Sequence, residues 1–239
     1  MKNLIDVHTH TIVSGHAYST VNEMIAEAQN KGLEIFGIVE HGPAIPGTCD
    51  LIYFKNMYVV PRDYGRMKLI MGGELNIIDY EGNLDVVDNV YLDCMEYKIA
   101  GLHSLCYEDG TRSQNTSALI GAIENKHVNI ISHPCDGTAS DFDIEAVVLA
   151  AKRNGTLLEL NNQSLNPSRN KPLSKSMFTE MLRYCIKHDN PIIIGSDAHH
   201  TSSVAASQYA VSLIDEIGFP EELIVNDKPD LFMQMIGLR

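Results

Sequence analysis

The sequence has no closely spaced cysteine pair. Cys49, Cys94, Cys106, Cys135 and Cys185 lie far apart, are odd in number and form no C-x-x-C. Neither a disulfide framework nor a zinc knuckle is expected of them, and a reducing compartment suits such thiols best. Basic side chains are scarce as well, 18 against 31 acidic ones for a formal charge of −13. No cluster of lysine and arginine is there to neutralise a row of phosphates, so nucleic acid lying along the surface is disfavoured, although an end inserted into a pocket is not. Long apolar runs are missing too. After Met1-Lys2-Asn3 the chain enters a strand with no apolar signal segment, and nothing approaches the roughly 20 apolar residues of a membrane span. No membrane association is expected, and the cytoplasm is the expected address. Nor does any composition break or low-complexity linker divide the chain. Residues 1–239 are read as one domain, with a hydrophobic fraction of 44% that is ordinary for a buried core.

What is present is an alternation of short apolar runs and amphipathic segments. The first run, ending in Asp6-Val-His8-Thr-His10, is read as a strand whose period of two puts Asp6, His8 and His10 on one face, with Leu4 below them and Ile5 and Val7 opposite. Two imidazoles a pleat apart can chelate one metal ion. Thr20-Val-Asn-Glu23 has the form of a capping box and opens a helix that Lys31-Gly32 closes. Strands follow at Ile35 to Val39, Leu69 to Met71, Tyr97 to Gly101, Val128 to Ile131, Leu157 to Leu160 and Pro191 to Gly195. Helices are expected over Asn115 to Asn125, from the Asp143 cap to Asn154-Gly155, over Ser174 to His188, Ser203 to Ile217 and Pro229 to Ile236. Within Asn76 to Asp93, Tyr80-Glu-Gly-Asn83 is a hairpin turn. Strand and helix alternate about seven times, the pattern of a parallel sheet wrapped by helices.

His8, His10, His16, His41, Glu74, His103, His133, Asp197 and His199 all lie at or just beyond the carboxyl end of a predicted strand. An open sheet would spread these residues along a line, whereas a closed barrel gathers them at one rim. The expected fold is therefore a TIM-like α/β barrel. His127 and His188 sit at helix ends before strands, where a cation favours the helix dipole, and receive no role. His200 is out of phase with Asp197 and His199. Seven imidazoles and two carboxylates exceed the needs of one tetrahedral zinc but suffice for three ions sharing a bridging carboxylate. Neutral imidazoles cancel no charge, so such a cavity is positive and suits an anion. A phosphate ester is the natural one, because metal-bound hydroxide and Lewis acidity answer the slow hydrolysis of monoesters.

The set Asp6-Val-His8-Thr-His10, His16, Glu40-His41-Gly42, Gly73-Glu74, His103, Ser132-His133-Pro134 and Ser196-Asp197-Ala-His199 resembles the PHP (polymerase and histidinol phosphatase) superfamily. Thr11 to Ser19, Asn56-Met57 with Pro61-Arg62, Ile130 to Pro134 and Glu159-Leu-Asn-Asn162 are most similar to its YcdX-type phosphatases. The resemblance spans nearly the whole chain. It implies a distorted (β/α)7 barrel with three divalent ions, usually zinc, with manganese or iron as alternatives. By that similarity His8, His10, Glu74 and Asp197 hold one ion, Glu74, His103 and His133 a second, and His16, His41 and His199 a third. Glu74 and Asp197 would then serve catalysis, and Arg62 would match a basic position that grips phosphate. Asp6 is a candidate hydrogen-bond partner for a ligand imidazole, and Glu159 and Asn161 share a strand face from which they order water or substrate. Glu40 stands where relatives often carry Asp.

The activity so implied is hydrolysis of a small-molecule phosphate monoester by metal-bound hydroxide. Histidinol phosphatase is the second reading, and a nuclease or polymerase-associated module a third, disfavoured by the missing basic patch. Amidohydrolases also begin with His-x-His, but they supply a bridging lysine where this chain has His103, with Lys98 earlier in that strand. A scaffold role without catalysis would not need all nine positions.

Overall fold

Short runs such as Ile35 to Val39 are buried from end to end, as strands covered on both faces must be. In a computed structural model, which describes residues 2–238, these runs form a nearly closed parallel sheet of seven strands. They are β1 (Ile5–Asp6), β2 (Ile35–His41), β4 (Met67–Asn76), β5 (Tyr97–Gly101), β6 (Ile130–Ile131), β7 (Leu157–Asn161) and β8 (Ile192–Gly195), paired in that order, while β3 (Asp63–Tyr64) adds an antiparallel arm to β4. The helices are α1 (Val21–Asn30), α2 (Ile52–Asn56), α3 (Asn89–Leu92), α4 (Arg112–Glu124), α5 (Ile144–Asn154), α6 (Ser174–Lys187), α7 (Gln208–Ile217) and α8 (Pro229–Met235). This is a single α/β domain with the architecture of a distorted TIM barrel.

Two cores follow from the alternation of side chains along the strands. Ile5, Val7, Ile35, Ile70, Tyr97, Ile99, Ile130, Leu157 and Ile193 form one cluster, which fills the barrel. Phe36, Ile38, Leu69, Met71, Ile131, Leu158, Ile192 and Ile194 join the helices in a second, larger one. The helix signals act as read: Thr20 and Glu23 make the reciprocal capping box, Asp143 caps α5, and Gly155 ends it with a positive φ.

Several boundaries differ from the sequence expectation. β1 stops at Asp6, and beyond it Thr9 bridges Ala198 and bonds β2, its carbonyl accepting the Val39 amide at 2.9 Å and its hydroxyl donating to the Gly37 carbonyl at 2.7 Å. Ile5 and Val7 belong to the inner core, whereas the Asp6 carboxylate accepts the amides of Ser196 (3.2 Å) and Ala205 (2.8 Å). The Asp6 carboxylate is thus taken up by the end of β8 and the loop that follows it. The helix expected from Ser203 starts at Gln208, because Ala205 has a φ of 60° that no right-handed helix accommodates. Thr111 and Gln114 form a capping box and start α4 earlier than Asn115. The loop after β2 contains the unforeseen α2 and the β3–β4 hairpin.

The seam between β1 and β8 is closed by a side chain. Asn226 Oδ1 accepts the Ile194 amide at 2.8 Å, and its Nδ2 donates towards the carbonyls of Ile194 (2.9 Å) and Ile5 (3.0 Å). One carboxamide therefore supplies the donor and acceptor that a missing strand ladder would have supplied.

Candidate metal centre

Every strand end of the barrel rim delivers at least one polar side chain to one place. His8 and His10 follow β1, His16 follows a turn capped by Thr11, His41 ends β2, and Glu74 lies near the end of β4 directly across from His41. His103 and His133 lie two residues beyond β5 and β6, Glu159 is within β7, and Asp197 and His199 follow β8. His133 and Asp197 have positive φ values of 31° and 53°. Such strain is tolerated where surrounding bonds over-determine it. His133 meets that condition, since its amide donates to Glu159 Oε2 at 2.7 Å. Gly195 has no room for a side chain, because a Cβ there would collide with Glu159 Oε1 and crowd His8.

Glu74 is fully buried at the centre. Its Oε2 lies 3.3 Å from His8 Nε2, 3.3 Å from His10 Nε2 and 3.0 Å from His41 Nδ1. Its Oε1 lies 2.9 Å from His133 Nε2 and 3.5 Å from His103 Nε2. Asp197 Oδ1 is 3.6 Å from His8 Nε2, 3.5 Å from His10 Nε2 and 3.3 Å from His199 Nδ1. The Nε2 atoms of His16 and His199 face each other at 3.0 Å. The nine residues singled out by their place at strand ends thus converge within one rim cavity.

The donor atoms fit divalent cations on their own chemistry. His8 Nε2, His10 Nε2, His41 Nδ1 and Glu74 Oε2 are buried and make no hydrogen bond, an arrangement that costs free energy unless a cation satisfies it. Four sets of three ligand atoms lie within 4.8 Å of one another: His8, His10 and Asp197; His8, Glu74 and His133; His41, Glu74 and His103; and His10, His41 and His199. Burial, reinforced by the nearby His10 charge, holds His41 down to about 3 and His199 to about 4, so both are neutral imidazoles, the ligand form. Burial also disfavours a charge on His10, but the Asp197 and Glu74 carboxylates facing it outweigh that and lift the group to about 9. Burial works against ionisation of Glu74 and Asp197, yet His8 and its neighbours hold both well below the carboxylate range. The site is an imidazole-lined cluster around two buried carboxylates, a donor set that a divalent cation takes.

Residues beyond the nine divide sharply. Glu159 Oε1 lies 2.7 Å from His8 Nδ1, the supporting place considered for Asp6, and Asn161 Nδ2 spans Glu159 (3.1 Å) and Asp197 (3.3 Å). Arg62 is not brought to the cavity. Its Nε is 2.6 Å from Glu96, and its carbonyl pairs with Leu69, five residues and so ~16 Å down β4 from Glu74. His200 bonds its own turn through Ser202, and His188 pairs with Glu145. The cations that do line the cavity, which has a volume of about 500 Å³, are Arg169 and Lys171. Lys171 is paired with Asp136 at 2.5 Å. Neither stood out in sequence, since both belong to a polar loop with no periodicity.

Residues 6–166 match the PHP domain. The chain belongs to the PHP domain family. Proteins named "Probable phosphatase" from Caldicellulosiruptor bescii and Acetivibrio thermocellus are 42% and 39% identical to it, over 98% and 99% of this chain and 95% and 96% of theirs. A solved structure of histidinol phosphate phosphatase from Lactococcus lactis, complexed with zinc, L-histidinol and phosphate, superposes with a TM-score of 0.62 at 17% identity, covering 91% of this chain and 95% of that one. The PHP match ends before β8, so Asp197 and His199 lie outside the matched segment yet line the same cavity as His41 and Glu74.

Proposed function

We propose that this PHP protein is a metal-dependent phosphatase that hydrolyses a small-molecule phosphate monoester at a trinuclear, zinc-type centre. The observation that carries the reading is the position of Glu74, whose two oxygens face separate groups of imidazoles, as a bridging ligand must. One ion is assigned to His8, His10, Glu74 and Asp197, a second to Glu74, His103 and His133, and a third to His16, His41 and His199. Bound divalent ions supply positive charge to phosphate oxygens and lower the pKa of coordinated water to about 7.

The chain's own residues do the rest. Arg169, whose guanidinium has no hydrogen-bond or ion-pair partner among the described residues, grips the phosphate in the role expected of Arg62. Lys171, tied to Asp136, adds charge and holds its loop against the mouth. The relatives' name and the zinc and phosphate in the Lactococcus lactis structure support the same chemistry.

The test is metal content by elemental analysis, followed by assays of an aryl phosphate, histidinol phosphate, an amide and lactone panel and single-stranded DNA, with Glu74→Gln as control. About three ions per chain and monoester hydrolysis lost in Glu74→Gln are expected. Preference for histidinol phosphate would select the narrower reading. Activity surviving in Glu74→Gln would remove the bridge.

A further inference from the structure

Building on the metal-centre reading, we infer that Ser14 is a positioning residue that sets the tautomer of His10 and so aims its Nε2 lone pair at the metal cluster. Ser14 is completely buried, and its hydroxyl has three neighbours. It donates to Glu40 Oε2 at 2.5 Å, the His41 amide donates to it at 3.3 Å, and His10 Nδ1 lies 3.2 Å away. A serine hydroxyl has one hydrogen to give and two lone pairs to receive with. Its hydrogen is directed to Glu40, so the contact with His10 is one in which Nδ1–H donates. That leaves Nε2 of His10 unprotonated when the ring is neutral, 3.3 Å from Glu74 and 3.5 Å from Asp197.

The direction of the chain of bonds is set at its far end. Glu40 is buried, and its second oxygen accepts the Thr11 hydroxyl at 2.5 Å while the Thr11 amide approaches Oε2 at 3.3 Å. A carboxylate surrounded by donors acts as acceptor throughout, and Ser14 passes this polarity on to the imidazole. His8 reaches the same end directly through Glu159. His10 lies too far from any carboxylate at Nδ1 for that, and the hydroxyl spans the gap. The backbone places Ser14 through a 3-10 turn capped by Thr11 and closed by Gly15, whose φ of 82° and contact with the Gly47 backbone leave no space for a Cβ.

The test uses the full chain and Co²⁺ or Zn²⁺ alone, titrated against a chromophoric chelator, with the visible d–d spectrum of the Co²⁺ form as second readout. Ser14→Ala is expected to weaken binding at one of the sites by about 10- to 100-fold and to shift the d–d bands, with Ser14→Thr restoring both. Glu40→Gln keeps the side-chain volume but lets an amide donate to Ser14, and is expected to weaken binding likewise, which carries the test should Ser14→Ala misfold. Affinity and spectrum unchanged in the folded variants would overturn the role of Ser14. A wild-type chain that takes up no metal would instead overturn the reading on which it rests.

Discussion

The Glu159 carboxylate lies 2.7 Å from Nδ1 of His8, and its other oxygen accepts the His133 amide at 2.7 Å. One side chain in the middle of β7 therefore fixes the ring of one candidate ligand and the backbone of another. Glu159→Gln can satisfy only one of these, because an amide turns a donor towards a donor on the other side. We expect metal affinity to fall about 10- to 100-fold, measured by chelator competition, with the fold retained by circular dichroism. Unchanged affinity would reduce Glu159 to a structural filler.

Arg169 lines the cavity and Arg62 does not, so the proposed phosphate contact falls to Arg169. A charge-assisted contact to phosphate contributes about 1.5–3 kcal/mol, so Arg169→Ala should raise KM for a phosphate monoester about tenfold or more, with kcat less affected. Arg62→Ala removes the partner of Glu96, which also accepts the Met71 amide. It should leave kinetics unchanged and cost about 1 kcal/mol in urea unfolding. Steady-state kinetics on the two variants side by side decide the assignment.

The legible part of this molecule is the part governed by repetition. Alternating apolar runs and capped helices gave the barrel, and the barrel gave the convergence of residues from Asp6 to His199 at one rim. What escaped depends on irregular backbone. The Asp6 carboxylate accepts the amides of Ser196 and Ala205, partners about 190 or more positions away that a period of two cannot foresee. Ser14 and Glu40 meet only because a 3-10 turn folds back over β2. Arg169 and Lys171 lie on an aperiodic loop, whereas Glu159 left a trace as a charged residue inside the apolar run Leu157-Leu158-Glu159-Leu160.

Metal removal should be visible in stability as well as activity. A ligand at about a hundred times its Kd stabilises by about 2.7 kcal/mol. Stripping the protein with a chelator should therefore lower Tm by roughly 5–10 °C for a chain of this size, with recovery on adding Zn²⁺. Calorimetry before and after re-addition is the measurement. A Tm indifferent to chelator would argue that the buried donor atoms of Glu74, His8 and His10 do not hold an ion.

Asp109 gives a pH dependence remote from the cluster. Slight burial raises its pKa, but the hydrogen bonds from Ser140 and Asn115 outweigh this and leave it below its ordinary value. A carboxyl whose folded pKa is depressed contributes stability above its unfolded value near 3.9 and loses it as pH falls through the folded pKa. The stability difference between wild type and Asp109→Asn should therefore shrink as unfolding is measured from about pH 6 down towards pH 3. A difference constant over that window would mean that the charge on Asp109 is irrelevant to the loop it holds.

The sharpest structural prediction concerns Asn226, since the barrel seam between β1 and β8 rests on it. Removing its carboxamide leaves the Ile194 amide and the carbonyls of Ile5 and Ile194 buried without these partners. Each such group costs about 1–3 kcal/mol, and partial relaxation places Asn226→Ala at roughly 3 kcal/mol by urea unfolding. Asn226→Asp preserves shape and the acceptor for Ile194 but loses both donor contacts, so it should also destabilise, more strongly at pH 7 than at pH 4, where a protonated carboxyl recovers a donor. Because His8, His10 and Asp197 flank the same seam at its upper end, hydrogen exchange at the Ile194 amide should rise in Asn226→Ala ahead of that at β4. Equal protection in both strands would mean that the Thr9–Ala198 bridge alone closes the barrel.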